Sequence, residues 1–501
     1  FAQANVELWD QLFVNGGVRG DKASTFGEEE RFWYTNGSVA WEFTAHPMFS
    51  ALRGTGAAQQ DGPLGFLDFG KLRFAYGEAG QHPPVFSNVS AFTTGTIGRE
   101  LNSVYAGFDG VVSEGTLGNP NIEPERSKEW EVGFELAMLD NRLALDVVRY
   151  DKQTEDAILS VPVAPSTGFS SRWKNGAEFD NEGWEVRLDG RPVQASNFTW
   201  DVSAQWAKDE SCVKELLGTE SVFLTGFFFS RVSVVQPRDI DGDGTPDEEG
   251  CFPFGVHRGG DFVRFGRDIT VGGVDIDSAF PNAPEGAIFI AEDGLPRADG
   301  QVRVIGDPNP DWTGSLRNTV TLFDKVRLSA LLDFVQGFDR WNGTKGVLFF
   351  FGTHEATGPC HGEGCTFPSF ADYYDEVLNA KPETFAGPGV GQEVTLNWAN
   401  WFLSGIGSAF TGPQIQFIED ASFVRLRDVS ASYTFDQPRI AEAIGFSSID
   451  VKVSGRNLAT WTDYSGIDPE AELGDQILGR GLEYFNNPFT ESWVFTLQFN
   501  R

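Results

Sequence analysis

The chain has 501 residues, with 72 Asp and Glu against 38 Lys and Arg, and a formal net charge of −34. No basic stripe offsets that charge, which excludes nucleic acid as a partner and suits a surface that holds divalent cations or works in salt. No run of roughly eighteen apolar residues occurs, which excludes a transmembrane helix but not a transmembrane barrel, whose strands hide their hydrophobicity in alternation.

Abundant Gly (58) and Phe (45) suit glycine-rich turns and aromatic girdles. Phe1 is not an initiator Met and no charged and apolar leader follows it, so the start reads as that of a mature or partial chain. In chain order, alternating stretches lie near 3–19, 32–44, 69–79, 127–139, 142–153, 180–191, 197–209, 311–323, 325–338, 421–435, 447–458 and 490–499. Each places apolar side chains on one face and mostly polar ones on the other, because a strand has a side-chain period of two. In the last stretch Trp493, Phe495, Leu497 and Phe499 share a face opposite Ser492, Val494, Thr496 and Gln498. A tilted strand crosses hydrocarbon in about nine to eleven residues, which these stretches match.

Three hairpins are legible. Trp130, Val132, Phe134 and Leu136 lead through Asp140-Asn141 to Leu143, Leu145 and Val147; Trp184, Val186 and Leu188 turn near Arg191-Pro192 to Phe198, Trp200 and Val202; Leu316, Val320 and Leu322 turn at Asp324-Lys325 to Val326, Leu328 and Leu332. Connections alternate between short (near 140, 192–196, 324 and 436–446) and long (80–126, 154–179, 210–310, 339–420 and 459–489). Short periplasmic turns and long extracellular loops are the pattern of an outer-membrane barrel, and they run the final strand toward the periplasm. The fold class expected is therefore all-β, an antiparallel transmembrane β-barrel with about twelve strands in this chain. The long acidic loop 210–310 and the loop 339–420 are expected outside the cell.

The loops carry the candidate sites. Asp239, Asp241 and Asp243, with Gly244 in sixth place, Thr245 in seventh and Asp247 in ninth, match the first part of an EF-hand-type Ca²⁺ loop. The twelfth place holds Gly250 instead of a bidentate Glu, so Glu248 or Glu249 would have to substitute; the alternative reading is a solvated acidic turn. The four cysteines all lie in the loops, and Cys212–Cys251 and Cys360–Cys365 are the expected pairs, free thiols being the alternative. Phe227-Phe228-Phe229, Phe349-Phe350-Phe351, Tyr373, Tyr374, Trp398, Trp401 and Phe402 read first as the loops' own small core, and second as surfaces that stack on sugars or cover a partner. The five His are scattered, no nucleophile–base spacing appears, and no Gly-rich phosphate loop opens a helix, so nothing supports an enzyme.

Particular stretches also carry a family resemblance. The segment Leu117-Gly-Asn-Pro-Asn-Ile-Glu-Pro-Glu-Arg-Ser-Lys-Glu-Trp-Glu-Val-Gly-Phe134 resembles one that marks TonB-dependent receptor barrels. Lys71-Leu-Arg-Phe-Ala-Tyr-Gly-Glu-Ala-Gly80, Asn181-Glu-Gly-Trp-Glu-Val186, Ile305-Gly-Asp-Pro-Asn-Pro-Asp-Trp312, Ser422-Phe-Val-Arg-Leu-Arg-Asp-Val429 and Ser454-Gly-Arg-Asn-Leu458 resemble its SusC/RagA branch. The resemblance implies the C-terminal part of a 22-strand barrel, with the plug and the TonB-contacting box outside this sequence. It implies an outer-membrane importer of oligosaccharides or peptides in a Gram-negative-type bacterium, driven through TonB–ExbB–ExbD and capped by a SusD-like lipoprotein. The usual terminal aromatic is followed here by Asn500 and Arg501. The competing readings are a passive porin-like channel and a secreted all-β calcium-binding adhesion protein.

Overall fold

The computed structural model describes residues 1–26, 31–53, 62–90, 92–95, 110–113, 115–167, 169–216, 219–227, 230–236, 251–436, 445–473 and 480–500. The chain divides into two units, Phe1–Val222 with Val235–Phe254, and Phe223–Val234 with Gly255–Arg501.

The first unit is an antiparallel sheet of long strands: β1 (Ala2–Leu8), β2 (Leu12–Asp21), β3 (Phe32–Trp41), β4 (Leu67–Gln81), β5 (Glu125–Met138), β6 (Leu143–Pro162), β7 (Ser171–Ala195) and β8 (Phe198–Glu215). Each pairs with the next, so the order along the sheet is the order along the chain. The registers align the sequence pattern into rows. One row runs Leu8–Leu12–Trp41–Leu72–Phe134–Val147–Val186–Trp206 across all of these strands. A row on the opposite face runs Asn5–Asn15–Ser38–Ala75–Glu131–Tyr150–Gly183–Asp209. A one-residue slip at any strand would exchange the two sets, so a medium that is apolar on one side and wet on the other fixes the register.

In the second unit β9 (Trp312–Leu322), β10 (Val326–Gln336), β11 (Phe423–Phe435), β12 (Ser448–Thr462) and β13 (Ser492–Asn500) pair in the same up-and-down fashion. Val320–Leu328–Ala431–Val453–Phe495 make the apolar row, and Thr319–Ser329–Ser430–Ser454–Val494 lie on the other face. Trp493, Phe495, Leu497 and Phe499 are all at least half exposed on the apolar face, a contiguous apolar patch of the kind that meets lipid.

The strand positions correct the sequence reading in four places. The stretch 3–19 is two strands, split at Trp9-Asp10, both at φ 55°. Asp10 tolerates that conformation but Trp9 does not favour it, at a cost of roughly 1–2 kcal/mol, and no Gly follows to complete the usual Asp-Gly or Asn-Gly pair, so the turn carried no signal. The interval 154–179 is not a loop. β6 has 20 residues and β7 has 25, and their pairing continues through Ser171–Pro162, leaving only 163–170 as a turn. Their alternation fades where hydrocarbon would end, but the backbone ladder does not need it. The turn after β7 lies at 196–197 instead of Arg191-Pro192. Pro192 sits in a register shift between Gly190 and Val193, where its missing N–H leaves no ladder bond unmade. Finally, the stretch 32–44 is a strand only as far as Trp41; Phe43–Ala45 is a short turn of helix, and a helix, Pro47–Arg53, follows it.

The long connections of the second unit fold into a body of their own. Ser230–Val235, Val256–Phe262 and Ala298–Gly306 form an antiparallel sheet. Asp339–Asn342 pairs with Ile418–Asp420 on one side and with Leu482–Glu483 on the other, which joins two loops distant in sequence. A core of Phe262, Trp341, Phe349, Tyr373, Phe402, Phe417, Ile418 and Leu482 closes over these pieces.

The facing assignment is testable. Val202 belongs to the apolar face of β8 and Leu328 to that of β10. Arg at either position is expected to cost about 2–4 kcal/mol. Loss of heat-stable folded protein from outer membranes of V202R and L328R is the expected result; unchanged assembly in both would reverse the assignment.

Candidate functional site

The polar face of the first sheet cannot face lipid, so it faces the aqueous interior. It holds a concavity of about 600 Å³ lined by Arg73, Glu129, Glu131, Tyr150, Lys152, Asn181, Glu185 and Asp209 among others. Four carboxylates face two cations there, so the lining carries a net negative charge. A neighbouring concavity of about 490 Å³ shares Glu129, Glu131 and Lys152 and extends toward Glu78, Glu125 and Thr154. Arg73 pairs with Asp146, and Lys128 with Glu155 at 2.6 Å, both between strands. These pairs are partly exposed and hold side chains in place more than they stabilise the sheet.

The loop body of the second unit is organised around a buried polar cluster. Glu419 is fully buried and accepts from Asn342 Nδ2 (3.0 Å), Lys345 Nζ (3.3 Å), Asn379 Nδ2 (3.1 Å), and the backbone N–H (2.8 Å) and hydroxyl (2.7 Å) of Ser465. Lys345 also donates to the Leu378 carbonyl. Burial pushes the Lys345 ammonium below its usual range, and the Glu419 carboxylate opposes that shift. Thr344 donates to Glu483 at 2.6 Å, and burial raises the Glu483 carboxyl. The cluster is built on Asn342, whose side chain caps the helix Gly343–Phe350. Beside it Trp341 stacks on Tyr484, with rings 8° from parallel, and donates to Gln414 at 3.1 Å.

Arg425 and Arg427, at the start of β11, clamp the loop 463–491. Arg425 reaches Asp468 at 2.6 Å and Glu470 at 2.8 Å, and Arg427 reaches Glu470 at 2.9 Å and Asp333 at 2.6 Å. Arg425–Asp468 is the buried pair among these, and removing one of its partners costs about 3–5 kcal/mol, because the other charge stays buried alone.

Most of the aromatic residues singled out in the sequence fill this body. Phe349, Tyr373, Tyr374, Trp401 and Phe402 are buried, and Phe227 packs on Trp341 and Tyr484. Phe351 is exposed, while Phe350 packs edge-on against Phe410. Phe228 and Phe229 lie outside the described residues. Cys360 and Cys365 are joined, with Cα atoms 4.3 Å apart, and Cys212 and Cys251 are joined at 5.3 Å. The first pair closes the turn after the short helical segment Glu355–Cys360; the second ties the end of β8 to Phe252, whose carbonyl accepts from Val213 N at 2.9 Å. The acidic turn containing Asp239, Asp241, Asp243, Thr245 and Asp247 lies outside the described residues. Among the described residues no group of His, Cys, Asp and Glu is arranged to hold a metal ion. Sequence reasoning missed Lys345, Glu419 and Glu483, because lone charges in stretches read as loops look solvated. The available signal was the run Asn342-Gly-Thr-Lys-Gly-Val-Leu-Phe-Phe350, in which an N-capping Asn precedes a short apolar helical stretch that carries Lys345.

His257 gives the loop body a pH signature. It is fully buried, its Nε2 lies 3.4 Å from the Asp339 carbonyl, and its Nδ1 has no partner. Burial, with Arg340 and Lys381 nearby, lowers its pKa from 6.5 to about 3. The unfolded chain then binds a proton the folded chain refuses, so this residue's contribution is intact above pH 6.5 and is lost as pH falls toward about 3. Protease resistance of residues 256–310 is expected to drop across that window, and His257→Gln to flatten the dependence. Equal slopes in both proteins would remove His257 from the account.

Comparison with known proteins agrees with this geometry. A family model described as TonB dependent receptor-like, beta-barrel matches residues 1–458. TonB-dependent receptor P3 of Formosa agariphila is 24% identical over 523 residues, covering 99% of this chain and 45% of the relative. TonB-dependent receptor SusC of Bacteroides thetaiotaomicron is 23% identical over 229 residues, 44% of this chain and 21% of the relative. The RagAB peptide importer in its closed-closed state superposes with a TM-score of 0.67 at 17% identity, over 99% of this chain and 47% of that one. The chain thus spans about half the length of the relatives it matches. By the family match over residues 1–458 and the superposition over nearly its whole length, the chain belongs to the TonB-dependent receptor-like β-barrel family of the outer membrane and has the fold of its SusC/RagA-type members.

Proposed function

We propose that this chain supplies wall and mouth to a TonB-dependent importer that takes up peptides or oligosaccharides. A 22-strand barrel around a plug, TonB–ExbB–ExbD as the source of pull, and a SusD-like lipoprotein over the mouth complete the reading. The observation that carries it is the joint presence of a lipid-facing apolar row and an ordered body of long loops. A simple wall does not require loops with a buried charge cluster; a mouth that must hold its shape against a partner does. The likeness to a peptide importer favours peptides, and the carboxylate-rich interior favours those with cationic side chains. A transporter binds and releases its cargo unchanged, so no catalytic group is assigned.

Cells carrying the receptor should take up a labelled cationic oligopeptide pool, and a protonophore should abolish uptake. Uptake that survives the protonophore would identify a passive channel. A surface lipoprotein should co-purify in mild detergent.

On its sequence alone, the turn Asp239–Asp247 is also proposed to hold Ca²⁺, with Asp239, Asp241, Asp243, the Thr245 carbonyl and Asp247 as oxygen donors. The missing twelfth-place Glu puts the affinity near the weak end, about 10⁻⁴–10⁻³ M. Calcium should protect residues 210–310 from protease, and D241A/D243A should remove the protection; equal cleavage with calcium or chelator would leave a solvated acidic turn.

A further inference from the structure

One buried carboxylate in the loop body holds a lysine amine and a carboxamide side by side. Glu419 Oε1 accepts from Lys345 Nζ at 3.3 Å, and Glu419 Oε2 accepts from Asn379 Nδ2 at 3.1 Å. The Leu378 carbonyl, one residue before Asn379, accepts from the same Nζ. Asn379 ends the helical turn Tyr374–Leu378 in the left-handed conformation, with φ 52°, which Asn tolerates. Its Nδ2 also donates to the Asp463 carbonyl at 2.9 Å, so the carboxamide is held beside the amine from two directions.

The surroundings are those of a reaction between the two. Glu419, Lys345, Leu378 and Phe349 are buried, and the Phe349 ring lies 5.8 Å from Nζ. Burial pushes the Lys345 ammonium below its usual range. A proton passed from Nζ to Glu419 leaves a neutral amine and a neutral acid, the forms that an apolar interior favours. A desolvated lysine amine is a nucleophile, and an amide fixed beside it meets it at high effective concentration. Asn379 sits on the exposed rim of the cluster, which gives a leaving group a way out. The other carboxamide, Asn342, also reaches Glu419, but its Oδ1 caps Lys345 N at 3.0 Å and is committed to its own helix. Both hydrogen bonds of Asn379 are made by its nitrogen, so turning its carboxamide over brings the oxygen onto the acid.

We infer that Lys345 and Asn379 are joined by an isopeptide bond that forms within the folded loop body, with Glu419 as acid and base. Neutral Nζ attacks Cγ of Asn379 while the Glu419 carboxyl protonates the carboxamide oxygen. Glu419 then moves the proton of the attacking nitrogen to Nδ2, the Cγ–Nδ2 bond breaks and ammonia leaves. One C–N bond forms, one breaks, and no oxidant or outside reagent is needed. The product ties the helix Gly343–Phe350 to the turn Tyr374–Leu378 across the segment that the Cys360–Cys365 bridge also staples. Unlike that bridge, it resists reductant.

The test is mass mapping of the receptor purified from outer membranes, denatured and reduced. Trypsin cuts after a free Lys345, and residues 346–380 contain no other Lys or Arg. The expected product is a peptide that starts at Trp341, is uncut at Lys345 and is lighter by one ammonia. Further cutting at Glu355, Glu363 and Glu376 should leave the pieces carrying 345 and 379 joined. Cleavage at Lys345 with full mass overturns the proposal. Loss of ammonia with Lys345 still cut means that Asn379 has cyclised on its own backbone, and overturns it too. N379A, at an exposed position, should restore cleavage at Lys345; an ammonia-short, uncut peptide in N379A would move the bond to Asn342 and refute the pairing. E419Q should likewise free Lys345, and a bond that still forms there removes Glu419 from the reaction.

Discussion

Everything in this chain depends on one constraint: in hydrocarbon, the backbone N–H and C=O groups of a strand have no partner except another strand. A spanning segment must then be paired along its length on both sides, and alternation is what remains for the side chains to vary. The rows Leu8 to Trp206 and Asn5 to Asp209 are the two outcomes of that rule on one sheet. The register follows from the contrast between them, and the register in turn gathers Glu131, Tyr150 and Asp209 onto one wet face. The acidic interior is thus a by-product of satisfying the backbone first and the lipid second.

The loop body obeys the opposite economy. Outside the membrane, water can satisfy any polar group, so a charge buried there needs a reason. Glu419 is surrounded by donors from Asn342, Lys345, Asn379 and Ser465, which come from widely separated stretches. An unpaired member would be costly, so the cluster admits few alternative arrangements. Hydrophobic packing around Phe349, Phe402 and Phe417 supplies adhesion, and the polar cluster supplies a single geometry.

What was legible in the sequence follows from how local the signal is. The spanning parts of β5, β8, β9 and β13 could be read because lipid imposes period two on every residue. The Trp9-Asp10 turn could not, since its shape is imposed by the strands on either side and not by its own residues. The upper parts of β6 and β7 were invisible for a related reason: both faces are wet there, and hydrogen bonding alone prolongs the ladder. The loop aromatics were recognisable as core, but not which of them meet, because contacts such as Trp341 with Tyr484 join residues 143 apart in sequence. Lys345 and Glu419 looked like surface charges, as almost all such residues are.

The length of β6 and β7 bears on how the wall is assembled. At about 3.3 Å per residue, the 25 residues of β7 extend roughly 80 Å, well beyond a hydrocarbon core of about 30 Å. The far half of this hairpin carries Glu155, Asp156, Arg172 and Lys174. To reach the outer side, that charged tip must traverse the bilayer before the apolar rows below it can settle. Charges at the bilayer centre cost about 2.5–3.5 kcal/mol each by insertion scales. The hairpin is consequently a poor candidate for spontaneous entry, however well its finished form suits the membrane. Its stability is reached over a translocation barrier that the sequence itself raises, so the wall's biogenesis calls for a catalysed, sheltered route in which strands cross already paired.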